Sequence, residues 1–328
     1  MESFVFALTA ISPIIIMVAV GYVLKRFGFI DGDFAKKANK LVFRLLLPSM
    51  LFLNVYNIEA VENIELGYIV YVLLAILLVF LIALPSVALV SRERGSKGAL
   101  LQAIFRSNYA LIGIPLAGEL FGGEGVAVAS VLSAFTIPLL NVLAVISLSI
   151  FNEKGKKADF KSVILEIIKN PLIVSVLLGV FVLFLRLLAE KNGFEARLSD
   201  VTPLFKVLSY LSSTATPLAL LVLGAQFEFS AVPSLKKEII FGVLARTVVV
   251  PLIGIGAAYF LFRDVFSGAH FAAFVAVFAT PVAVSSVPMA QEMGGNVTLA
   301  GQLVVWTTLV SSFSVFLISF LLKIAGVF

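Results

Sequence analysis

Ten stretches of this chain are mostly apolar and long enough to cross a bilayer, and the polar segments between them are short. They run over 4–24, 39–57, 67–90, 98–121, 126–150, 171–189, 202–225, 239–262, 269–291 and 298–325. A helix needs roughly 20 such residues to span a bilayer core of about 30 Å. Inside hydrocarbon every backbone N–H and C=O must be paired within the protein, so only helices or closed barrels are tolerated. Long apolar runs without two-residue alternation select helices. The expected fold class is an all-α polytopic membrane protein with ten transmembrane helices. Only 13% of the residues are charged, against about a quarter in soluble domains.

The net charge of +5 does not imply a nucleic-acid partner, because most of the cations sit in short loops between apolar runs. Lys25, Arg26, Lys36, Lys37 and Lys40 fall on one side, as do Arg92, Arg94, Lys97, Lys154, Lys156, Lys157, Lys161, Lys169, Lys236 and Lys237. Loop 58–66 on the other side carries Glu59, Glu62 and Glu65 and no cation. Short cytoplasmic loops are rich in Lys and Arg. The expected placement is the inner (plasma) membrane, with the basic side cytoplasmic and both termini outside. The linker 152–170 divides a first unit, 1–151, from a second, 171–328. Its part 160–170 is apolar on one face, with Lys161, Glu166 and Lys169 on the other, and reads as an interfacial helix.

The two units look duplicated. Pro115 is followed by Ala117, Glu119 and Gly122-Gly123; Pro288 is followed by Ala290, Glu292 and Gly294-Gly295. Pro48 precedes Glu59 by the same spacing as Pro217 precedes Glu228. Each unit has an odd number of spans, so the two insert with opposite topology. Inverted repeats whose matching helices are interrupted are a signature of secondary transporters, with the site near the midplane.

Asn108–Pro115 with the following Glu-Leu-Phe-Gly-Gly-Glu-Gly resembles span four of the auxin efflux carrier family. Phe43–Pro48, Asn170-Pro171 with Gly179, and Thr280-Pro281 fit the same resemblance, which covers the whole chain. It implies a 5+5 inverted repeat of the bile-acid-symporter and sodium/proton-antiporter type. Spans one, two, six and seven would be a scaffold, and the rest a moving unit in which broken helices four and nine cross. It also implies a small organic anion as substrate (malate, malonate or an auxin-like carboxylate) and a scaffold-mediated homodimer.

The candidate substrate site lies at the crossing. Pro115 removes a backbone donor and clashes with the preceding turn, so the first break is expected at Gly113, Ile114 and Pro115. Asn108 sits about two turns earlier and offers an amide. In span nine, Thr280, Pro281, Ser285, Ser286 and Pro288 are candidates. The repeat places that break at Pro288 and the resemblance at Pro281. Half-helix N-termini carry about +0.5 charge and favour carboxylates. Ser49 and Asn54 in span two, and Gln226 at the end of span seven, are expected to face the site from the scaffold. Asn141 is expected to satisfy the carbonyl freed by Pro138. Arg106 and Arg246, cations within spans, are candidates for attracting the anion or coupling its movement, as are the repeat-related Glu119 and Glu292.

Every Asp (Asp31, Asp33, Asp159, Asp200, Asp264) falls in a loop, which argues against cation exchange as the main activity. With one histidine (His270, at a span end) and no cysteine, there is no set for an intramembrane protease, a metal or another cofactor. No nucleotide motif is present. The reading is a secondary carrier of organic anions working by alternating access. A channel and a sodium- or proton-coupled symporter of other small solutes are the alternatives.

Overall fold

The computed structural model describes residues 2–57, 65–152, 165, 168–193 and 197–328. The acids Glu59 and Glu62 and most of the linker 152–170, with its expected interfacial helix, lie outside the described residues. The described chain is helical: α1 Glu2–Arg26, α2 Gly32–Tyr56, α3 Leu66–Val90, α4 Arg94–Phe105, α5 Tyr109–Ile150, α6 Pro171–Lys191, α7 Thr202–Gln226, α8 Lys236–Phe262, α9 Gly268–Phe278, α10 Ser286–Met293 and α11 Val297–Ile324. Among the described residues, seven helices (α2, α3, α5, α6, α7, α8 and α11) are long and apolar enough to cross a membrane. Leu74, Leu81 and Leu89 on α3 and Phe181 and Phe184 on α6 are exposed, as lipid-facing side chains are.

Local chemistry explains the helix ends. The Phe34 N–H donates to Asp31 Oδ1 at 2.6 Å, so α2 starts at Gly32 and not at 39. Its first turns bury Ala35, Ala38 and Asn39 and expose Lys36, Lys37 and Lys40. Asn170 caps α6 through the Leu172 N–H, with Pro171 in the first turn.

α5 has 42 residues, roughly 63 Å at about 1.5 Å per residue, or twice a bilayer core. It folds back on itself at Phe121 and Gly122, where Gly122 takes φ 61° and ψ −151°. A Cβ on Gly125 would run into the Ala117 carbonyl, and one on Gly118 would lie 2.7 Å from Val126 Cγ2. Residues eight apart in a straight helix would be about 12 Å apart along the axis. The reversal between α10 and α11 uses Gly294 at φ 73°. Glycine is the residue that enters this region without strain.

Three of the helix prolines are absorbed by widened turns. Pro48, Pro115 and Pro251 each follow a five-residue π turn: Val42–Leu46, Tyr109–Gly113 and Ala245–Val249. There Leu47, Ile114 and Val250 donate to Val42, Tyr109 and Ala245, one residue further back than in an α-helix. The extra residue per turn draws the preceding carbonyls away from the proline ring, so the helix continues.

The helices pack as two groups. α1, α2, α6 and α7 pack on one another; α3, α4, α5 and α8 to α11 form the other group, and α11 also lies along α1. The α1–α7 crossing depends on a reciprocal glycine pair: a Cβ on Gly21 would meet the Leu221 carbonyl, and one on Gly224 the Val18 carbonyl. Overpacking of this kind costs about 1–3 kcal/mol. Gly224→Ala should therefore lower the unfolding temperature of the detergent-solubilised protein by several degrees. Gly256→Ala, with open space around the new methyl, should leave it unchanged or raised.

Candidate functional site

α4 ends at Phe105, and the chain is extended at Arg106 (φ −88°, ψ 105°) before α5 begins at Tyr109. α9 ends at Phe278, and α10 begins at Ser286. These two interruptions lie against each other. The Asn108 N–H donates to the Pro281 carbonyl at 2.8 Å, and the Ala283 N–H to the Arg106 carbonyl at 3.3 Å. Together they make one antiparallel bridge, Ser107 to Val282. The Val282 N–H donates to Thr307 Oγ1 of α11 at 3.2 Å.

The first interruption is not at Gly113–Pro115, as the sequence led us to expect, but at Arg106–Asn108. The π turn before Pro115 absorbs that proline, and Asn108 sits in the interruption itself. In the second, Pro281 lies within the non-helical segment. Pro288 lies in the first turn of α10, where the missing N–H has no helical partner to lose.

The helix C-termini leave carbonyls that must be paired inside the protein. Arg246, fully buried on α8, reaches both ends. Its Nε donates to Thr280 O at 2.8 Å and Nη2 to Val277 O at 2.9 Å, while Nη1 donates to Ile104 O and Phe105 O at 3.2 and 3.3 Å. The Thr280 hydroxyl takes Ala276 O at 2.8 Å. Arg106 is also buried; Nη2 donates to Asn141 Oδ1 at 2.7 Å and Nη1 contacts Met289 Sδ at 2.8 Å. Asn141 donates to Ile137 O, not to the Ala134 carbonyl that Pro138 frees.

On the other side of the bridge is a cavity of about 190 Å³. Asn108, Ala110 and Leu111 line it from the first interruption and the start of α5, and Val284 and Ser285 from the second. Leu47, Met50 and Asn54 of α2 and Thr216 and Ala219 of α7 complete it. Among the described residues no charged side chain lines it. A second cavity of about 480 Å³ shares Asn54 and Ala110 and extends past Asn57, Ile114, Gly123 and Ser130. Asn57 ends α2 and Gly123 lies at the α5 reversal, so it leads away from the basic loops.

Toward the basic loops the two helix groups are joined. Asn39 Nδ2 of α2 donates to Gln226 Oε1 of α7 and to Gln291 Oε1 of α10, both at 2.8 Å. Gln291 Nε2 donates to Lys36 O at 3.1 Å, and Arg44 lies 3.5 Å from Glu292.

Asn54, Asn108 and Ser285 thus meet in one cavity, with Ile114 in its neighbour. Gly113 serves packing: a Cβ there would be 2.7 Å from Ala276 O of α9. Thr280, Ser286 and Pro288 are buried, Pro115 and Glu119 are exposed, and neither buried arginine lines the cavity. Sequence reading missed Thr216 and Met50, which look like ordinary span residues until α7 and α2 are placed opposite Asn108. It also missed Asn39 and Gln291, whose only signal was an amide near the end of an apolar run. His270 caps α9 with Ser267 and lies 3.6 Å from Glu65. Among the described residues no group of His, Cys, Asp and Glu is arranged to hold a metal.

Residues 6–319 match the family described as membrane transport protein. Two archaeal proteins named as uncharacterized transporters are similar. One, from Methanocaldococcus jannaschii, is 29% identical over 240 residues, 71% of each chain. The other, from Methanothermobacter thermautotrophicus, is 23% identical over 300 residues, 91% of this chain and 92% of its own. The chain is a multi-pass membrane transporter, not an enzyme. Its match over nearly its whole length makes it a member of the membrane transport protein family, the auxin efflux carrier family.

Proposed function

We propose that this transporter is a secondary carrier of small organic carboxylates, which it moves by alternating access around the cavity between the two interruptions. One observation carries the reading. The start of α5 and the residues that lead into α10, up to its cap Ser285, converge on a cavity that has amide and hydroxyl groups and, among the described residues, no charged side chain. Helix N-termini favour an anion there, Asn108 and Asn54 can donate to its oxygens, and Thr216 and Ser285 add hydroxyls. About 190 Å³ suits a C3–C4 dicarboxylate.

In this reading α4 with the first limb of α5 is one interrupted span, the second limb of α5 is the next, and α9 with α10 is another. Ten spans result, in two inverted repeats of five, with the termini outside and the basic loops cytoplasmic. The helix ends Phe105 and Phe278 are as far apart in sequence as Pro115 and Pro288, which fits one repeat register. α1, α2, α6 and α7 are the scaffold, and the other group moves. The state described here opens away from the basic side, while the Asn39–Gln226–Gln291 cluster and the Arg44–Glu292 pair close the other. Inward opening requires α10 to leave α2 and α7, breaking them.

Purified carrier in proteoliposomes preloaded with malate or malonate should show saturable counterflow of the labelled acid. If neither acid nor indole acetate shows saturable counterflow, with or without a proton gradient, the carboxylate reading is wrong. Hydrogen bonds to charged groups contribute about 1.5–3 kcal/mol. Asn108→Ala should therefore cut transport about tenfold or more with the unfolding temperature unchanged.

The native chain has no cysteine, so Ser285→Cys is a single reporter. Aqueous thiol reagents should reach it mainly from the side opposite the basic loops. Adding Gln291→Ala should raise labelling from the basic side several-fold; unchanged labelling would remove the amide cluster as the closing contact.

A further inference from the structure

The geometry assigns to Arg246 a positioning role: it clamps the C-terminal ends of α4 and α9 and cancels their negative charge, so that the field left at the cavity is that of the two helix N-termini. The assignment rests on the carboxylate reading for its effect on substrate, but not for its effect on the fold of the crossing.

A cation in the middle of an apolar span is costly and is kept where it has a partner. Arg246 has no carboxylate partner among the described residues. Its partners are four carbonyls, two at each helix end. Each helix C-terminus carries about −0.5 charge, so two ends carry about −1, which one guanidinium matches. The planar fork of guanidinium N–H groups spans both ends at once. An ammonium is a point donor and cannot. The π turn Ala245–Val249 contains Arg246 and widens α8 at this level.

The consequence reaches the cavity through the backbone. Thr280, whose carbonyl Arg246 holds, immediately precedes Pro281, which accepts the Asn108 N–H. Phe105, held on the other side, immediately precedes Arg106, which accepts the Ala283 N–H. Arg246 therefore fixes both strands of the Ser107–Val282 bridge, and the bridge sets where Asn108 and Ser285 stand. Arg246 lies behind the bridge and does not touch substrate. Because it belongs to α8, it also ties that helix to the crossing, so the three elements move as one body.

The test uses the full-length carrier and two readouts. The first needs no substrate. Ser107→Cys with Val282→Cys places two thiols at directly opposed positions of an antiparallel bridge, within disulfide range. Oxidation should cross-link them readily in the native background. In Arg246→Gln the yield should fall several-fold, and Arg246→Lys should be intermediate. The second readout is counterflow of the carboxylate the native carrier accepts. KM should rise about tenfold or more in Arg246→Gln, with a smaller rise in Arg246→Lys, when Vmax is expressed per folded carrier. Native cross-linking and KM in a folded Arg246→Gln would overturn the proposal. If Arg246→Gln does not fold, Arg246→Lys decides, and native values for both readouts there would overturn it. A native carrier that cross-links as expected but moves no carboxylate would refute the substrate reading and leave the clamp to be judged by cross-linking alone.

Discussion

A helix interrupted inside a membrane exposes backbone groups that water cannot satisfy, and the centre of this protein is arranged around that constraint. Each interruption would orphan several donors and acceptors, at a cost of several kcal/mol per group in hydrocarbon. The chain meets the cost by placing the two interruptions together. They exchange two backbone hydrogen bonds across Ser107 and Val282. Thr307 supplies an acceptor for the Val282 N–H, and the Thr280 hydroxyl and Arg246 take helix-end carbonyls. Neither interruption would be satisfied alone. The crossing is thus a mutual requirement of the two halves, and the cavity is the space left on its other side.

Seven membrane-spanning helices were legible in the sequence because apolar length is a direct signal, and even the glycine pairs after Glu119 and near Glu292 mark reversals. The exact site of the first interruption was not legible. Proline is a rule about one missing donor and one steric clash, and it says nothing about whether the preceding turn can widen. Pro48, Pro115 and Pro251 all follow widened turns and none ends its helix. The segment that does break, Arg106–Ser107–Asn108, contains no proline. Its backbone is bonded by the second interruption, while Arg246 of α8 holds the carbonyls just before it and Met289 of α10 contacts the Arg106 side chain, all far away in the chain. Only the assembled fold brings them together.

The same holds for the residues around the site. Asn108 stood out because an amide inside an apolar run asks for a partner. Asn54 and Ser285 stood out less, and Thr216 not at all, because a single hydroxyl in a span can bond back to its own helix. Asn39, Gln226 and Gln291 come from three helices, and they meet at one point where the two packed groups touch. An amide with no visible task in a sequence acquires one when its neighbours arrive from elsewhere.

The absence of a cationic side chain in the cavity is physically apt for a carrier. A guanidinium aimed at a carboxylate in a dry site makes short, paired, charge-assisted hydrogen bonds, and each 1.4 kcal/mol of added affinity slows release about tenfold when association is unchanged. A carrier has to release its cargo on both sides. Partial charges of about +0.5 at helix ends attract the same anion more weakly. Here the full charges, Arg106 and Arg246, are buried behind the crossing and occupied by Asn141, Met289 and helix-end carbonyls. If the cargo is a carboxylate, as proposed, they shape the field without binding it, so the site can select for negative charge and still let it go.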